Sequence, residues 1–218
     1  MRQIFSPGAN AIAKGSIIGL VLLVLLIAGG SYVLIRSSWW TGQDVTINQP
    51  VMFSHQHHVG GLGIQCQYCH TSVTKDATAG MPPTHTCMTC HSQLYTDQPA
   101  LEPVRQSYAT GQPIQWNRVT NVGDFVFFNH SIHVQKGVGC ATCHGQVDQM
   151  PLTYKAEPMD MGWCLNCHQN PERYLRPREE VFNMEYQPPA DQIALGQRLL
   201  KEYNIDKTRL TNCYVCHR

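Results

Sequence analysis

Residues 53–91 read FSHQHHVGGLGIQCQYCHTSVTKDATAGMPPTHTCMTCH. The stretch holds Cys66-Gln-Tyr-Cys69-His70 and Cys87-Met-Thr-Cys90-His91, two copies of C-x-x-C-H. Three more follow: Cys140-Ala-Thr-Cys143-His144, Cys164-Leu-Asn-Cys167-His168 and Cys213-Tyr-Val-Cys216-His217. All 10 cysteines of the 218-residue chain fall in these five motifs. Chance would supply roughly 0.02 copies at this composition, so the pattern is chemical.

C-x-x-C-H is the attachment signal for c-type haem. Two thiols at this spacing reach the two vinyl groups of one haem as thioethers. The adjacent His then lies under the ring as proximal ligand to iron. A dithiol redox pair has no need of His at the same offset five times, and a zinc site joins two C-x-x-C pairs with His optional. No cysteine is left over for a disulfide scaffold or a nucleophile. Phosphate-binding loops, dinucleotide fingerprints and Ser/His/Asp signals are absent from the sequence.

The charged fraction is 14%, below the ~25% of ordinary soluble domains. A net charge of +1 gives no basic field for nucleic acid. Five haems would carry propionates enough to lower that charge to roughly −9. About 180 residues lie beyond an N-terminal apolar run, leaving roughly 36 residues around each haem. The macrocycles should therefore form much of the core. The expected fold class is a multihaem cytochrome c with little regular secondary structure, mostly short α-helices and loops wrapped around five c-type haems.

Residues 15–35, GSIIGLVLLVLLIAGGSYVLI, carry no charge. As a helix they span ~31 Å, the thickness of a bilayer's hydrocarbon core. Arg2 and Lys14 precede the run, and Arg36 and Trp39-Trp40 follow it, the latter as an interfacial aromatic pair. The run is long for a cleaved signal peptide, and Ala28-Gly29-Gly30 is a weak cleavage site, so an uncleaved single-pass anchor is expected. Basic residues then place the N-terminus in the cytoplasm. Haem attachment by this motif places residues 37–218 on the periplasmic, outer side of a bacterial cell membrane.

The first cysteines of successive motifs are 21, 53, 24 and 49 residues apart. This short–long–short–long rhythm predicts two dihaem modules and a terminal haem. Module one opens Phe53-Ser-His55-Gln-His57-His58-Val59, and module two opens Phe128-Asn-His130-Ser-Ile-His133-Val134. Both place Val three residues past a motif His, at Val73 and Val147, and both continue into Met-Pro, at Met81 and Met150. The reading is 1–14 cytoplasmic, 15–36 anchor, 37–50 linker, 51–95 module one, 96–125 connector, 126–170 module two, and 171–218 a linker, a helix and the fifth haem. The modules are expected to stack about a pseudo-symmetry axis. A helix is predicted over 101–108 and another over 191–203, while 171–189 reads as an extended linker. Residues 114–119 and 125–128 alternate enough for a hairpin, with a surface loop as the alternative. The chain's ending at Arg218 makes the last haem a candidate electron port.

Five six-coordinate irons need ten axial ligands. The motifs supply His70, His91, His144, His168 and His217. Six histidines remain: His55, His57, His58, His85, His130 and His133. In the two F-x-H-x-x-H segments the paired His side chains fall on one side of a helical turn. Two adjacent haems can then each take one imidazole. Candidates for the last ligand are Met161, close before Cys164, then His85, with His57 and Met150 as outsiders. The choice matters because a His/Met haem has a higher potential than a bis-His haem.

The F-x-H-x-x-H and C-x-x-C-H combination resembles small class III multihaem cytochromes. That resemblance implies His55 for the haem of Cys66 and Cys69, and His58 for that of Cys87 and Cys90. It implies His130 for Cys140 and Cys143, and His133 for Cys164 and Cys167. Over nearly its whole length the chain resembles the pentahaem cytochrome c subunit of bacterial alternative complex III, a quinol:electron-acceptor oxidoreductase. The runs that carry this are FSHQHHVGGLGIQCQYCHTSV, MPPTHTCMTCHSQ, LEPVRQSYATGQPIQW, DFVFFNHSIHVQKGVGCATCHGQVDQMPLT, MDMGWCLNCH and LTNCYVCHR. The resemblance implies electron transfer from an iron–sulfur subunit towards a monohaem cytochrome c or soluble acceptor. Quinol would be met only indirectly, and no substrate site is implied in this chain. It also implies one His/Met haem, which favours Met161; His85 has no counterpart among the family's ligands. Two other classes are considered. A tetrahaem quinol dehydrogenase usually has a haem motif close behind its anchor, whereas 30 residues separate Arg36 from Cys66 here, and Ser72 stands where its Met would be. A multihaem reductase needs a five-coordinate iron, often with Lys in place of a motif His, and all five motifs here carry His.

Overall fold

A computed structural model describes residues 6–217; Arg2 and Arg218 lie outside them. The chain divides at Gln43/Asp44 into two compact units. The first is dominated by α1, Ala9–Arg36, which buries none of its residues. Leu, Ile and Val fill it, and no acid or interior Pro interrupts it. Its length and composition suit a membrane span or a signal sequence. The Arg36 guanidinium folds back over the Tyr32 ring at 4.6 Å. A further turn, α2 at Ser38–Thr41, ends at Gly42, whose φ of 68° suits glycine.

The second unit is helical, and among the described residues it holds no β-strand, only three isolated bridges. Each C-x-x-C-H forms or ends a short helix: α3 (Cys66–Cys69), α4 (Thr84–His91), α7 (Cys140–His144), α8 (Met161–Gln169) and α10 (Cys213–Cys216). One helical turn brings the two thiols of a pair to the same side. Between these lie α5 (Glu102–Thr110), α6 (His130–Gln135) and α9 (Gln192–Glu202). Helices α5 and α9 occupy the two stretches where the sequence predicts helices, with shifted ends. The alternating residues of 114–119 form no hairpin; they run as loop, and Val126 bridges His217 instead. Ile114 and Trp116 are half-buried on one side of that stretch, and on the other the Asn117 N–H donates to Gln49 Oε1 at 2.9 Å, not to a partner strand.

Residues 171–189 differ from the extended linker expected of them. Two 3₁₀ turns, Pro171–Arg173 and Arg178–Glu180, fold the segment inward, and Pro171, Leu175, Arg176, Val181 and Met184 are buried. Leu175 joins Leu199 and Tyr203 of the α9 region in an apolar cluster flanked by Val138, Leu195, Leu200 and Ile205. Gly196 lets α9 lie directly on the Glu172 backbone, where a Cβ would overlap the carbonyl. Pro and Arg made the segment look like linker, but it also carries the apolar Leu175, Val181 and Met184.

The two F-x-H-x-x-H segments differ by one residue before their first cysteine, 13 against 12. The structure absorbs the extra residue as a π-turn over Gln56–Gly61, where module two has an ordinary α-turn in α6. Both segments are capped alike. Ser54 Oγ accepts from the His57 N–H at 3.1 Å, and Asn129 Oδ1 from the Ile132 N–H at 3.3 Å. Both then turn through a left-handed glycine three residues before the cysteine, Gly63 and Gly137.

Each segment docks on the other half of the unit. The Gln56 N–H donates to Met150 O at 3.0 Å, and the Ser131 N–H donates to Asp76 O at 3.2 Å. Each donor directly follows the first His of its segment; each acceptor lies three residues past Val147 or Val73. Gln135 Nε2 donates to Thr74 O at 3.0 Å. At the matching position Gly60 lies so near the Asp148 carbonyl that a Cβ would stand 2.6 Å from it.

Candidate haem centres

The imidazoles meet in facing pairs. Ring centres of His58 and His91 lie 6.2 Å apart, those of His130 and His144 6.3 Å, and those of His133 and His168 6.2 Å. A metal–imidazole bond of about 2.0 Å, plus about 1.1 Å from nitrogen to ring centre, puts two rings trans on one metal roughly 6.2 Å apart. Within each pair one ring belongs to an F-x-H-x-x-H segment and the other to a C-x-x-C-H motif. His55 stands within electrostatic reach of His70 and His144. Among the described residues no three His, Cys, Asp or Glu side chains converge as a chelate.

The phenylalanine of each segment orients both of its histidines. Phe53 is edge-on to His55 (5.0 Å) and stacked on His58 (4.3 Å). Phe128 repeats this with His130 (4.7 Å) and His133 (4.6 Å). Such contacts each stabilise by ~0.5–1.5 kcal/mol and fix the ring planes.

Hydrogen bonds at Nδ1 fix which nitrogen remains for a metal. His58 Nδ1 donates to Ser54 O (2.9 Å) and His133 Nδ1 to Asn129 O (2.7 Å), each within its own turn. His130 Nδ1 donates to Ala77 O (2.9 Å) and His55 Nδ1 bonds Thr153 Oγ1 (2.9 Å), each partner coming from the other module. Among the motif histidines, His70 donates to Gly80 O (2.8 Å), His91 to Leu94 O (3.2 Å), His168 to Leu210 O (2.9 Å) and His217 to Phe125 O (3.2 Å). A backbone carbonyl can only accept, so Nδ1 carries the proton and Nε2 keeps its lone pair. This second layer holds the ring and raises its basicity as a ligand. The acceptors are mostly main-chain atoms, which leave no mark in sequence; Phe53 and Phe128 were visible in the repeat.

Burial favours the neutral form of four of these imidazoles. His55 and His144 are each lowered to about 4, first by burial and then by neighbouring imidazoles. Burial likewise lowers His58 and His133. The thiols move the other way: burial pushes Cys143 up to about 12 and Cys140 and Cys167 to about 11. Cys66, Cys69, Cys87, Cys164 and Cys216 are also raised, with burial the leading cause. A redox-active C-x-x-C pair has a depressed thiol, so the environment disfavours that chemistry. All ten cysteines, Cys90 and Cys213 included, are free thiols.

The remaining candidates sit apart. Met161 opens α8 and is exposed. His85 is exposed on α4 with its ring 6.2 Å from that of Tyr108. His57 is exposed and edge-on to His58 at 5.3 Å, and Met150 is buried. The His217 ring stacks on Phe125 at 5.7 Å.

The imidazole pairs, most of their rings held at Nδ1, and the free C-x-x-C thiols form a donor set that fits c-type haem. The family model for cytochrome c7 and related cytochrome c matches residues 51–108 and 126–218. Over 165 residues the chain is 29% identical to the menaquinone reductase, multiheme cytochrome c subunit, of Nitratidesulfovibrio vulgaris (strain Hildenborough). That alignment covers 65% of this chain and 79% of the relative.

Proposed function

Because this chain belongs to the family of cytochrome c7 and related cytochromes c, we propose that its five C-x-x-C-H motifs hold five haems and that it is the electron-transfer subunit of a membrane quinone-linked oxidoreductase. The family makes the chain a multihaem c-type cytochrome. When bound, the haems supply one-electron chemistry. Cys66 and Cys69, Cys87 and Cys90, Cys140 and Cys143, Cys164 and Cys167, and Cys213 and Cys216 each anchor one group. His58 with His91, His130 with His144, and His133 with His168 would hold three of the irons, and His55 with His70 a fourth. Met161 is the distal partner proposed for His217.

The carrying observation is the 6.2–6.3 Å spacing of three imidazole pairs whose ring planes are set by Phe53 and Phe128. Two imidazoles on an iron leave no open position for substrate, so these sites suit electron passage over catalysis. The cluster Leu175, Leu199 and Tyr203 is small for a unit of this size, which supports a core completed by prosthetic groups. Residues 51–95 and 126–170 serve as the dihaem modules, with reciprocal docking through Met150 and Asp76 as support.

Helix α1 anchors the chain in a bacterial cell membrane, with Lys14 on the cytoplasmic side and the haem unit on the periplasmic side. Electrons arrive from an iron–sulfur partner and leave towards a monohaem cytochrome c or soluble acceptor, as in alternative complex III. The relative's name favours a second reading, in which electrons run the other way, towards menaquinone. The test uses the complex extracted in mild detergent and the haem-loaded chain alone, each given a menaquinol analogue while the reduced α-band is followed. Reduction only in the complex is expected. Inhibitor-sensitive reduction of the isolated chain at equal rate would place the quinol site here and overturn the proposal. Oxidation of the pre-reduced complex by menaquinone, without reduction by menaquinol, would select the second reading.

A further inference from the structure

The two modules are built alike, yet the structure sets opposite ionisable groups beside their equivalent first cysteines. Next to Cys140 lies Arg176, buried at 8% exposure. Its guanidinium packs against Gly139, where a Cβ would overlap it, and covers the Tyr186 ring at 4.5 Å. Its Nη1 donates to Asn183 O at 3.2 Å and Glu180 O at 3.5 Å, while Nε has no hydrogen-bond partner. Arginine does not lose its proton in proteins, so this is a permanent buried cation. In module one, Gln65 holds the position of Gly139, which closes that space to a guanidinium.

Near Cys66 lies Asp148, buried at 7% exposure. Its Oδ2 accepts from Gln149 Nε2 at 2.8 Å, and its Oδ1 has no hydrogen-bond partner. After burial itself, the Asp148 charge is part of what raises the Cys66 thiol. The equivalent residue in the other module is Thr74, which is neutral. Asp148 belongs to module two and reaches module one through the docking at Gly60. The two first sites are neighbours, because His70 and His144 are within electrostatic reach of each other.

We propose that Arg176 and Asp148 break the symmetry of the duplicated modules, raising the reduction potential at the Cys140–His144 site and lowering it at the Cys66–His70 site. Arg176 favours the reduced, less positive iron beside it, and the Asp148 carboxylate favours the oxidised one. With haem held at both sites, these charges would favour one electron's passing from the Cys66–His70 site, left ferric, to the Cys140–His144 site, made ferrous. No proton moves. Both are positioning residues, acting through charge rather than by touching iron. The inference rests on the haem loading proposed above.

The test is a redox titration of the full haem-loaded chain, with haem methyl resonances assigning each midpoint to its site. Arg176→Gln should lower the midpoint of the third site in sequence, Cys140–His144, and shrink the exchange constant between the two sites on the order of tenfold, the scale of a unit charge about 10 Å away at an effective dielectric of ~20. Arg176→Lys, which keeps the charge, should restore most of it. Asp148→Asn should raise the first midpoint and leave the third in place. Five loaded haems with an unmoved third midpoint in Arg176→Gln, or an unmoved first midpoint in Asp148→Asn, overturn the proposal. If Arg176→Gln fails to load, the Asp148→Asn result decides alone. A parent chain that binds no haem at these two sites refutes the loading itself, which haem counting distinguishes from a failure of the charge argument.

Discussion

Replacing His133 by Ala tests the pairing of imidazoles most directly. His133 faces His168 at 6.2 Å, stacks on Phe128 at 4.6 Å and donates Nδ1 to Asn129 O at 2.7 Å. Truncation removes one ring from one of five sites, so about one-fifth of the haem should change from low-spin to high-spin. The fold loses a stacking contact of ~1 kcal/mol and a hydrogen bond of ~1 kcal/mol, offset by a few tenths from the better helix propensity of Ala. The net cost is about 1.5 kcal/mol, small enough for the chain to remain folded. Magnetic circular dichroism and electron paramagnetic resonance count the high-spin fraction, and exogenous imidazole should return it to low-spin. His57→Ala, at an exposed ring, serves as the control and should leave all haem low-spin. A His133→Ala chain that keeps five low-spin haems would refute the inference that the 6.2 Å spacing marks two ligands of one iron.

Gly196→Ala should destabilise by about 3 kcal/mol, since its Cβ meets the rigid Glu172 carbonyl, and thermal unfolding of the loaded chain would report it; an unchanged midpoint would mean α9 does not sit on that turn. Acidification should weaken the unit between pH 6.5 and 4. His55 and His144 bind protons only near 4 when folded, against 6.5 when unfolded. The stability of their neutral form is thus complete above about 6.5 and lost as pH falls to about 4, in the same direction as loss of iron ligation; stability flat across that window contradicts the burial of these rings. Met161→Ala should abolish the highest midpoint in a redox titration while His85→Ala leaves it in place, and the reverse outcome transfers the fifth ligand to His85.

The sequence by itself determined the chemistry. C-x-x-C-H is a local motif, and its geometry needs only one helical turn, so all five copies are legible before any tertiary contact is considered. The F-x-H-x-x-H repeat is equally local, and its one-residue length difference reappears as the π-turn at Gln56–Gly61. The resemblance implied which ring pairs with which, but only tertiary structure brings the rings together, because His133 and His168 are 35 residues apart in sequence and meet through packing. It also decided the acceptors at Nδ1, which are largely carbonyls common to every residue type. Residues 171–189 looked like linker because Pro and Arg dominate local preference, yet Leu175 packs on α9 and Val138, the Val181 carbonyl accepts from the Cys140 N–H, and Met184 is buried. Nothing in the sequence marks Arg176 or Asp148 as buried; only the fold encloses them, one beside Cys140 and the other near Cys66.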